Sequence, residues 1–394
     1  MSERSITVIG GGLAGLVASI AAAEQGARVT LHEAHRQLGG RARSTTGEFV
    51  ANLGPHALYA DGPFHRWLAD RDLLPPLVSP HLGGFRLRTR GRIRRTPPLA
   101  FMRAMALLRH DAPVDVDLRT WAASKAGDEV AAALAGACGV FSFDHDPGRL
   151  SAAFAIERAR RAFRVPSPAR FVVGGWARLV ERLADRARAM GVKISLGSPV
   201  DALPPGPVIV ATDLRAARRL LGDVTLQWTG TRTALFDAGV IERRGDPYVV
   251  SDLDESGWVE RFTAMDPSLA PPGCSLVQVQ LGARPGEDLE AAMARVERLV
   301  DTTLPDWRDR LLWNRRSLVT DSSGALDLPG TTWRDRPAID RGDGVYLAGD
   351  MVAAPGLLSE VSWASAVQAA ALAVVSRGWR DHMPAPSPVS GATR

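Results

Sequence analysis

The stretch ITVIGGGLAGLVASIAAAEQGARVTLHEAHRQLGGRAR, residues 6–43, decides the fold of this chain. A short β-branched run ends at Ile9, and three glycines follow with the spacing G-x-G-x-x-G, at Gly10, Gly12 and Gly15. The residues from Leu13 to Gln25 are mostly Ala and Leu without proline, and Gly26 follows them as a helix stop. The pattern predicts a strand, a tight glycine turn and a helix.

The next residues extend this unit. A second predicted strand, Ala27 to Leu31, leads to Glu33. A carboxylate near the tip of that strand can accept ribose hydroxyls, while the glycines let a pyrophosphate approach the backbone at the helix N-terminus. The order of strand, glycines, helix, strand and acid therefore predicts a Rossmann unit that binds a dinucleotide. These residues alone leave NAD and FAD both open.

The segment LGGRARS, Leu38 to Ser44, separates the two. Its arginines could bring guanidinium groups onto the same pyrophosphate, or could form only a solvated basic loop. With this segment the sequence resembles the FAD-dependent amine oxidase and phytoene desaturase superfamily, which includes protoporphyrinogen oxidase-like proteins and whose fingerprint continues as G-G-R-x-x-S/T. The resemblance implies FAD. Neither Cys138 nor Cys274 lies in the C-terminal motif, so we expect the FAD to be noncovalent.

Later segments match further landmarks of the superfamily. By resemblance, the glycine turn at residues 54–57 passes the isoalloxazine, Val200 meets the adenine through its backbone, and the strand at residues 207–213 ends near the dinucleotide. The last landmark is GVYLAGDMVAAPGLLSEVSWASAVQAAALA, residues 344–373, in which Asp350 would meet the ribityl chain or pyrophosphate. A helix predicted to start near Val361 would direct amides at the flavin pyrimidine edge. The residues assigned to the cofactor are Gly10, Gly12, Leu13, Ala14, Gly15, Glu33, Ala34, Gly39, Gly40, Arg41, Ala42, Arg43, Gly54, Pro55, His56, Ala57, Val200, Ala211, Thr212, Gly349, Asp350, Val361 and Ser362.

The sequence also departs from the superfamily. Its members typically carry Glu-Gly-Ala where this chain has Ser362, Trp363 and Ala364, so an indole stands where a glycine allows close approach. The amine oxidases place a lysine near flavin N5, and neither Lys125 nor Lys193 lies in a matching stretch. The candidate catalytic residues are His56, Tyr59 and Trp363. His56 could contact the ring or a substrate, or simply cap a helix.

Composition argues against a nucleic-acid-binding protein, a disulfide-rich protein and a metal-binding protein. The chain has 394 residues, a net charge of +5 and a pI of 9.8. The high pI reflects arginine standing in place of lysine, and no nucleic-acid-binding module is recognisable, so we expect no nucleic-acid partner. The basic run from Arg86 to Arg95 predicts a β-hairpin with one solvated face. The two cysteines are far apart without metal-ligand spacing, so we expect neither a disulfide framework nor a metal site.

The membrane signals are weak. There is no apolar export segment and no apolar run near the ~20 residues of a spanning helix, so we expect a cytoplasmic protein. Phe101, Met105 and Leu108 recur at helical spacing beside arginines. This fits either a lid helix over a pocket or a basic amphipathic helix on a membrane surface, so peripheral membrane contact stays open.

Two kinds of segment alternate along the chain. Residues 1–80, 165–225 and 330–383 are predicted to form a discontinuous FAD-binding domain. Residues 81–164, largely helical, and 226–329, with strands and one amphipathic helix, are predicted to form a substrate domain. The predicted fold class is α/β, a Rossmann-type domain with a second α+β domain of a mixed sheet and a helical cap. The Pro- and Ser-rich residues 384–394 are predicted to be disordered.

The resemblance implies hydride removal from a C–H bond of a mostly apolar small organic substrate by a desaturase-like or dehydrogenase-like enzyme, in secondary-metabolite or isoprenoid chemistry. A flavin amine oxidase and a redox-neutral isomerase or mutase are the alternatives. The electron acceptor, whether O2, a quinone or a protein, is not determined by the sequence.

Overall fold

The computed structural model of the chain describes residues 4–54, 56–80 and 83–376. The strands β1 to β15 span Ser5–Ile9, Arg28–Glu33, Leu58–Tyr59, Leu77–Val78, Phe85–Thr89, Arg92–Arg94, Ala169–Val172, Lys193–Leu196, Val208–Val210, Arg232–Ile241, Val249–Asp252, Gly257–Arg261, Cys274–Gly282, Leu311–Thr320 and Val345–Leu347. The helices α1 to α11 span Leu13–Glu24, Pro63–Ala69, Leu99–Leu107, Leu118–Ala126, Asp128–Ala137, Gly139–Ser142, Ala152–Ala162, Ala177–Ala189, Leu214–Leu221, Leu289–Thr303 and Ser359–Val375.

The first unit, β1-α1-β2, forms because its apolar residues are buried on every side. Val8 and Leu31 lie in paired positions of parallel strands, and Leu16 and Ile20 of α1 are fully buried against the same core. The glycines set how closely α1 approaches β1. A Cβ on Gly15 would lie 1.8 Å from the carbonyl oxygen of Gly10, so only glycine fits at this contact.

A five-stranded parallel sheet surrounds this unit, in the order β15-β9-β1-β2-β8. From β1 the chain continues outward through β2 to β8, and then crosses back to β9 on the other side of β1. The strand order therefore reverses between β1 and β9. In a sheet of this kind ligands bind in the crevice at the carboxyl ends of the strands where the order reverses.

A second sheet of seven strands has the order β14-β10-β13-β12-β11-β5-β6. Most pairs are antiparallel, whereas β5 and β11 run parallel. Helix α10 covers one face with Met293, Val296 and Leu299, which are almost fully buried against the sheet. The predicted mixed sheet and its amphipathic helix are confirmed.

The helical cap consists of α3 to α7, and its core includes the buried residues Leu118, Leu134 and Ile156. The stretch at residues 117–137, expected to be helical, is divided into α4 and α5 at Gly127, whose φ of +87° an L-residue rarely adopts. Helix α3 buries Phe101 against Leu87 of the second sheet.

Two element boundaries and one strand differ from the prediction. Strand β2 continues past the predicted end at Leu31 as far as Glu33, and α11 begins at Ser359 and not near Val361. Strand β14 was not predicted, because its sequence LLWNRRSLVT contains two adjacent arginines and has no regular apolar alternation. The basic run is the predicted hairpin, β5-β6, and it extends the second sheet.

No helix within residues 4–54, 56–80 and 83–376 has both the length and the apolar composition needed to cross a bilayer. The tail predicted to be disordered, residues 384–394, lies outside the described residues. The division into two discontinuous domains stays a prediction.

The Gly15 contact yields a stability prediction. Gly15→Ala should destabilise the protein by about 3 kcal/mol, because the added methyl meets a backbone carbonyl that cannot move aside. Gly12→Ala is the matched control, since a Cβ at Gly12 meets no atom within 4 Å, and it should cost less than about 1 kcal/mol. Urea unfolding followed by circular dichroism measures both, and equal losses would contradict the close approach of α1 to β1.

Candidate functional site

Three strand ends bring the predicted motifs together. The Gly10 N–H donates to the His32 carbonyl at 2.7 Å, and the Ala211 N–H donates to the Ile9 carbonyl at 2.7 Å. On the next strand, the Ala348 N–H donates to the Val210 carbonyl at 3.0 Å. The glycine loop, the Ala211–Thr212 pair and Gly349 therefore lie side by side at one edge of the parallel sheet.

The glycine loop is shaped for a close ligand. Gly10 has a φ of +106°, and a Cβ on it would lie 2.6 Å from the Ala211 carbonyl oxygen. Gly12 faces open space and is the N-cap of α1, whose first turn, with Leu13 and Ala14, has no side-chain cap. An uncapped helix N-terminus beside open space is suited to a phosphate group.

Glu33 faces this loop and is nearly buried. Its Oε2 accepts the Gly11 N–H at 2.7 Å, and its Oε1 accepts the His35 N–H at 2.8 Å and lies 2.8 Å from His35 Nδ1. Burial alone would raise the pKa of Glu33, but the hydrogen bonds from His35 and Gly11 outweigh it and lower this pKa. A carboxylate has about four acceptor positions, so three donors leave one for a ribose hydroxyl.

Arg41 and Asp350 join segments from opposite ends of the chain. Arg41 Nη2 donates to Asp350 Oδ1 at 2.7 Å, and its Nη1 bonds the carbonyl of Asp321. Arg41 therefore has protein partners in this structure. Arg43 is also engaged, with its Nε donating to the Gly40 carbonyl at 2.9 Å.

The turn that carries these arginines is attached to the glycine loop. The Gly39 N–H donates to the Gly11 carbonyl at 2.8 Å, and residues Gly40–Ala42 form one turn of 3-10 helix. A Cβ on Gly40 would lie 3.5 Å from the Cα of Gly12. The second glycine motif thus lies directly against the first.

The segment predicted to pass the isoalloxazine is tied to Arg41. His56 Nε2 lies 2.8 Å from the Arg41 carbonyl oxygen, and the His56 ring meets Trp176 edge-on with centroids 5.1 Å apart. The alternative in which His56 caps a helix is wrong, because α2 begins at Pro63 with Gly62 as its N-cap. Gly54 has a φ of +100°, Ala57 follows His56 without regular structure, and Pro55 lies outside the described residues.

Tyr59 is not suited to act as a base. It is buried on β3, and the Arg161 guanidinium lies over its ring at 4.7 Å from the centroid. Burial raises the pKa of Tyr59 to about 12. The phenol therefore stays protonated at neutral pH.

The first turns of α11 hold three predicted residues. The Val361 N–H donates to the Leu358 carbonyl at 3.1 Å, and the Ser362 carbonyl accepts from Ser365 Oγ at 3.1 Å. Ser365 Oγ also accepts the Gly349 N–H at 2.9 Å, so α11 is attached to the end of β15. Trp363 Nε1 is buried and has no hydrogen-bond partner among the described residues. A buried donor without a partner is one that a ligand could satisfy.

Two other assigned residues lie beside Glu33. Ala34 follows it directly in the chain. Val200 follows β8, in a segment whose Ser198 N–H donates to the Glu33 carbonyl at 2.9 Å, and Val200 packs on the core of the parallel sheet. The assigned residues at the ends of β1, β2, β9 and β15 are therefore brought together at one edge of the parallel sheet. Val200 lies on the side of this edge that carries Glu33.

Some contributors were missed from the sequence. Gly11 and His35 both donate hydrogen bonds to Glu33. The carbonyl of Asp321 accepts a hydrogen bond from Arg41, and the carbonyl of Asn52 accepts one from Arg315 of the second sheet. Gly11 could have been found in the glycine run. Asn52 has no local motif, because its importance comes from contacts with residues far along the chain.

Two cavities are notable. A groove of about 470 Å³ lies at the edge of the second sheet and is lined by residues including Glu242, Tyr248 and Arg261, none of which was assigned to the cofactor. A much smaller cavity, of about 10 Å³, is lined by Asp350 and Val361. Unlike the groove, the smaller cavity adjoins the end of β15 and the start of α11.

Comparison with known proteins matches residues 8–70 to the family of NAD(P)-binding Rossmann-like domains. No curated protein matches the chain. Among solved structures, an oxidoreductase from Methanosarcina mazei is 18% identical, with a TM-score of 0.76 and coverage of 93% of this chain and 99% of the other. A putative protoporphyrinogen oxidase from Exiguobacterium sp. 255-15 is 16% identical, with a TM-score of 0.69 and coverages of 95% and 99%.

Cyclohexylamine oxidase from Brevibacterium oxydans is also 16% identical, with a TM-score of 0.69 and coverages of 94% and 99%. At such identities the likeness establishes a common fold over nearly the whole chain. The predicted fold class is confirmed. The chain therefore has the fold that the resemblance implied.

The hydrogen bonds of Glu33 yield a pH prediction. Folding lowers the pKa of the Glu33 carboxyl below its ordinary value of 4.5. The stability that the ionised carboxylate contributes is therefore fully present above about pH 4.5 and is lost as the pH falls through the pKa of the folded state. Glu33→Gln should therefore cost about 1–3 kcal/mol at pH 7, and the difference from wild type should shrink below pH 4.5.

Urea unfolding at several pH values measures this difference. Glu181→Gln is the control, because the Glu181 side chain is 61% exposed and only 3.5 Å from Arg178, and it should change little. A Glu33→Gln deficit that stays constant down to pH 3 would refute the lowered pKa.

Proposed function

We propose that this chain is an FAD-dependent oxidoreductase that removes a hydride from a C–H bond of a mostly apolar small organic substrate. The observation that carries the proposal is the contact between Arg41 and Asp350 beside the glycine loop. It joins the second glycine motif to the last strand end, which a nucleotide unit of β1-α1-β2 alone would not require. A dinucleotide long enough to extend from the glycine loop to the end of β15 would contact both the second glycine motif and this strand end.

The described residues fit such a cofactor. The uncapped first turn of α1 and the open space at Gly12 suit the pyrophosphate, and Glu33 has one free acceptor position for a ribose hydroxyl. The unpaired Nε1–H of Trp363 could donate to a carbonyl or ring nitrogen of the flavin. The flavin, when bound, supplies the two-electron chemistry, and the protein positions the substrate against it.

The residues of the chain play supporting parts in this chemistry. The N-terminus of α11 places the positive end of a helix dipole near Asp350 and favours negative charge in the crevice. Tyr59 stays protonated, and His56 holds the Arg41 segment through a carbonyl contact. We therefore assign no general base, which agrees with hydride removal from an apolar substrate.

The lysines favour a dehydrogenase-like or desaturase-like reaction over an amine oxidase. Both lysines of the chain are exposed, Lys125 near the end of α4 and Lys193 at the start of β8. Neither borders the crevice, so no lysine is available there to assist reaction with O2.

The proposal predicts that FAD-loaded protein will lose its visible flavin absorption under anaerobic conditions when its substrate is added. A panel of alcohols, amines and unsaturated apolar acids identifies the class, and adding an electron acceptor should restore the absorption. Product formation without consumption of any acceptor would instead indicate a redox-neutral reaction. Failure of the whole panel to bleach the flavin, with no product formed, would contradict the proposal.

A further inference from the structure

Arg158 lies in an unusual environment on α7. The residue is only 9% exposed, and its guanidinium lies over the Phe154 ring at 3.5 Å from the centroid. The side chain reaches the small cavity beside Asp350 and Val361. It therefore places a positive charge at the edge of the proposed flavin site.

The hydrogen bonds of this guanidinium are poor. Nη1 lies 3.4 Å from the Phe154 carbonyl oxygen, and Nη2 lies 3.4 Å from the Gly356 carbonyl oxygen. Its only carboxylate within 4 Å among the described residues is Glu157, at 3.7 Å, and that side chain is 77% exposed. Burial, with a smaller contribution from the like charge of Arg336, lowers the pKa of Arg158 to about 10. The group is still protonated at neutral pH, so it is a buried cation without a matched anion.

The carboxylates around it are already paired. Asp327 accepts both Nε and Nη2 of Arg336, at 2.9 and 2.8 Å. Asp350 accepts Arg41 at 2.7 Å.

Glu360 completes the set of nearby acids. Its two oxygens accept both terminal nitrogens of Arg161, at 2.6 and 2.7 Å. Asp327, Asp350 and Glu360 thus each have their own arginine, and Arg158 is left with the exposed Glu157 as its nearest carboxylate. An unpaired buried charge is costly, and a bound ligand of opposite charge would offset that cost.

Most of the other residues that line the cavity are apolar, namely Phe141, Phe154, Ala325, Leu326, Leu358 and Val361. The polar ones are Ser323, Arg336 and Asp350, of which Arg336 is paired with Asp327 and Asp350 with Arg41. A ligand that fits this lining has an apolar body and one anionic group. An arginine fork binds a planar carboxylate through two parallel hydrogen bonds.

We infer that Arg158 binds the carboxylate of the substrate, so that the enzyme acts on an apolar organic acid. This inference rests on the proposed function and specifies its substrate class. The dinucleotide pyrophosphate is a second source of negative charge. The uncapped glycine loop at α1 already provides a phosphate site, which leaves Arg158 for the substrate.

The cavity holds about 10 Å³, which is room for about one water molecule, so a carboxylate enters only if a lining side chain moves. Leu358 is the residue we assign to this movement. It precedes α11 with a φ of +53°, a conformation that an L-residue rarely adopts.

The test uses benzoate and its neutral analogue benzamide as probes of the FAD-loaded protein, with binding measured by calorimetry and by thermal shift. Wild type should bind benzoate at least about 10-fold more tightly than benzamide. Arg158→Met should lose this preference, whereas Arg158→Lys should retain part of it because the charge remains. Arg160→Met is the control on the same helix, since Arg160 bonds the Leu108 and His110 carbonyls, and it should bind like wild type.

A separate titration measures FAD affinity in each variant. Unchanged FAD affinity together with lost benzoate preference in Arg158→Met supports the inference. Weakened FAD affinity with benzoate preference intact would assign Arg158 to the dinucleotide and overturn it, as would wild type that does not distinguish benzoate from benzamide.

The same probes applied to protein without FAD separate the two proposals. If wild type never binds flavin but binds benzoate through Arg158, the proposed function is wrong and an anion site at Arg158 is supported. The thermal unfolding of ligand-free Arg158→Met checks the underlying charge argument. Removal of an unpaired buried cation should leave the melting temperature unchanged or raise it, and a large loss would show that the guanidinium is a structural contact.

Discussion

The contact between α1 and the backbone at Gly10 is the constraint on which the rest of the site depends. A Cβ at Gly15 would lie 1.8 Å from the Gly10 carbonyl oxygen. The first turn of α1 can therefore pack on the end of β1 only if residue 15 has no side chain. This approach places the uncapped helix N-terminus at the strand edge. It also brings Gly11 within 2.7 Å of Glu33, which fixes the carboxylate beside the loop.

Long-range polar contacts then attach the other parts of the chain to that edge. Arg41 joins the second glycine motif to Asp350, and Asn52 joins the segment after it to the second sheet. The Asn52 carbonyl accepts Gln278 Nε2 at 3.0 Å and Arg315 Nη2 at 2.6 Å, while its side-chain oxygen accepts the Trp176 N–H at 2.9 Å. The cap contributes Arg158 from α7, so the pocket that we propose is built from all of these parts.

The sequence was sufficient to predict those features of the fold that depend on neighbouring residues. The glycine spacing, the short apolar strands and Glu33 predicted the parallel sheet and its ligand-binding edge, because turn geometry and local hydrophobic pattern are properties of neighbouring residues. The seven-stranded sheet was predicted only in part. Strand β14 carries arginines on its half-exposed faces and lacks the apolar alternation of a typical strand.

The polar contacts of the site could not be predicted in the same way. Arg41 and Asp350 are far apart in the chain, and so are Asn52 and Arg315. No local pattern says which of the many arginines pairs with which acid. The isolation of Arg158 is the extreme case, because it becomes visible only after Asp327, Asp350 and Glu360 have each been assigned to another arginine.

The measurement that tests the central claim most directly is a calorimetric titration of the purified protein with FAD and, separately, with NAD⁺. We predict one FAD per chain with a dissociation constant of about 1 μM or tighter, no measurable NAD⁺ binding, and an affinity for FAD about 10-fold weaker in Glu33→Ala. Binding of NAD⁺ without FAD would contradict the account, and so would FAD binding that does not depend on Glu33.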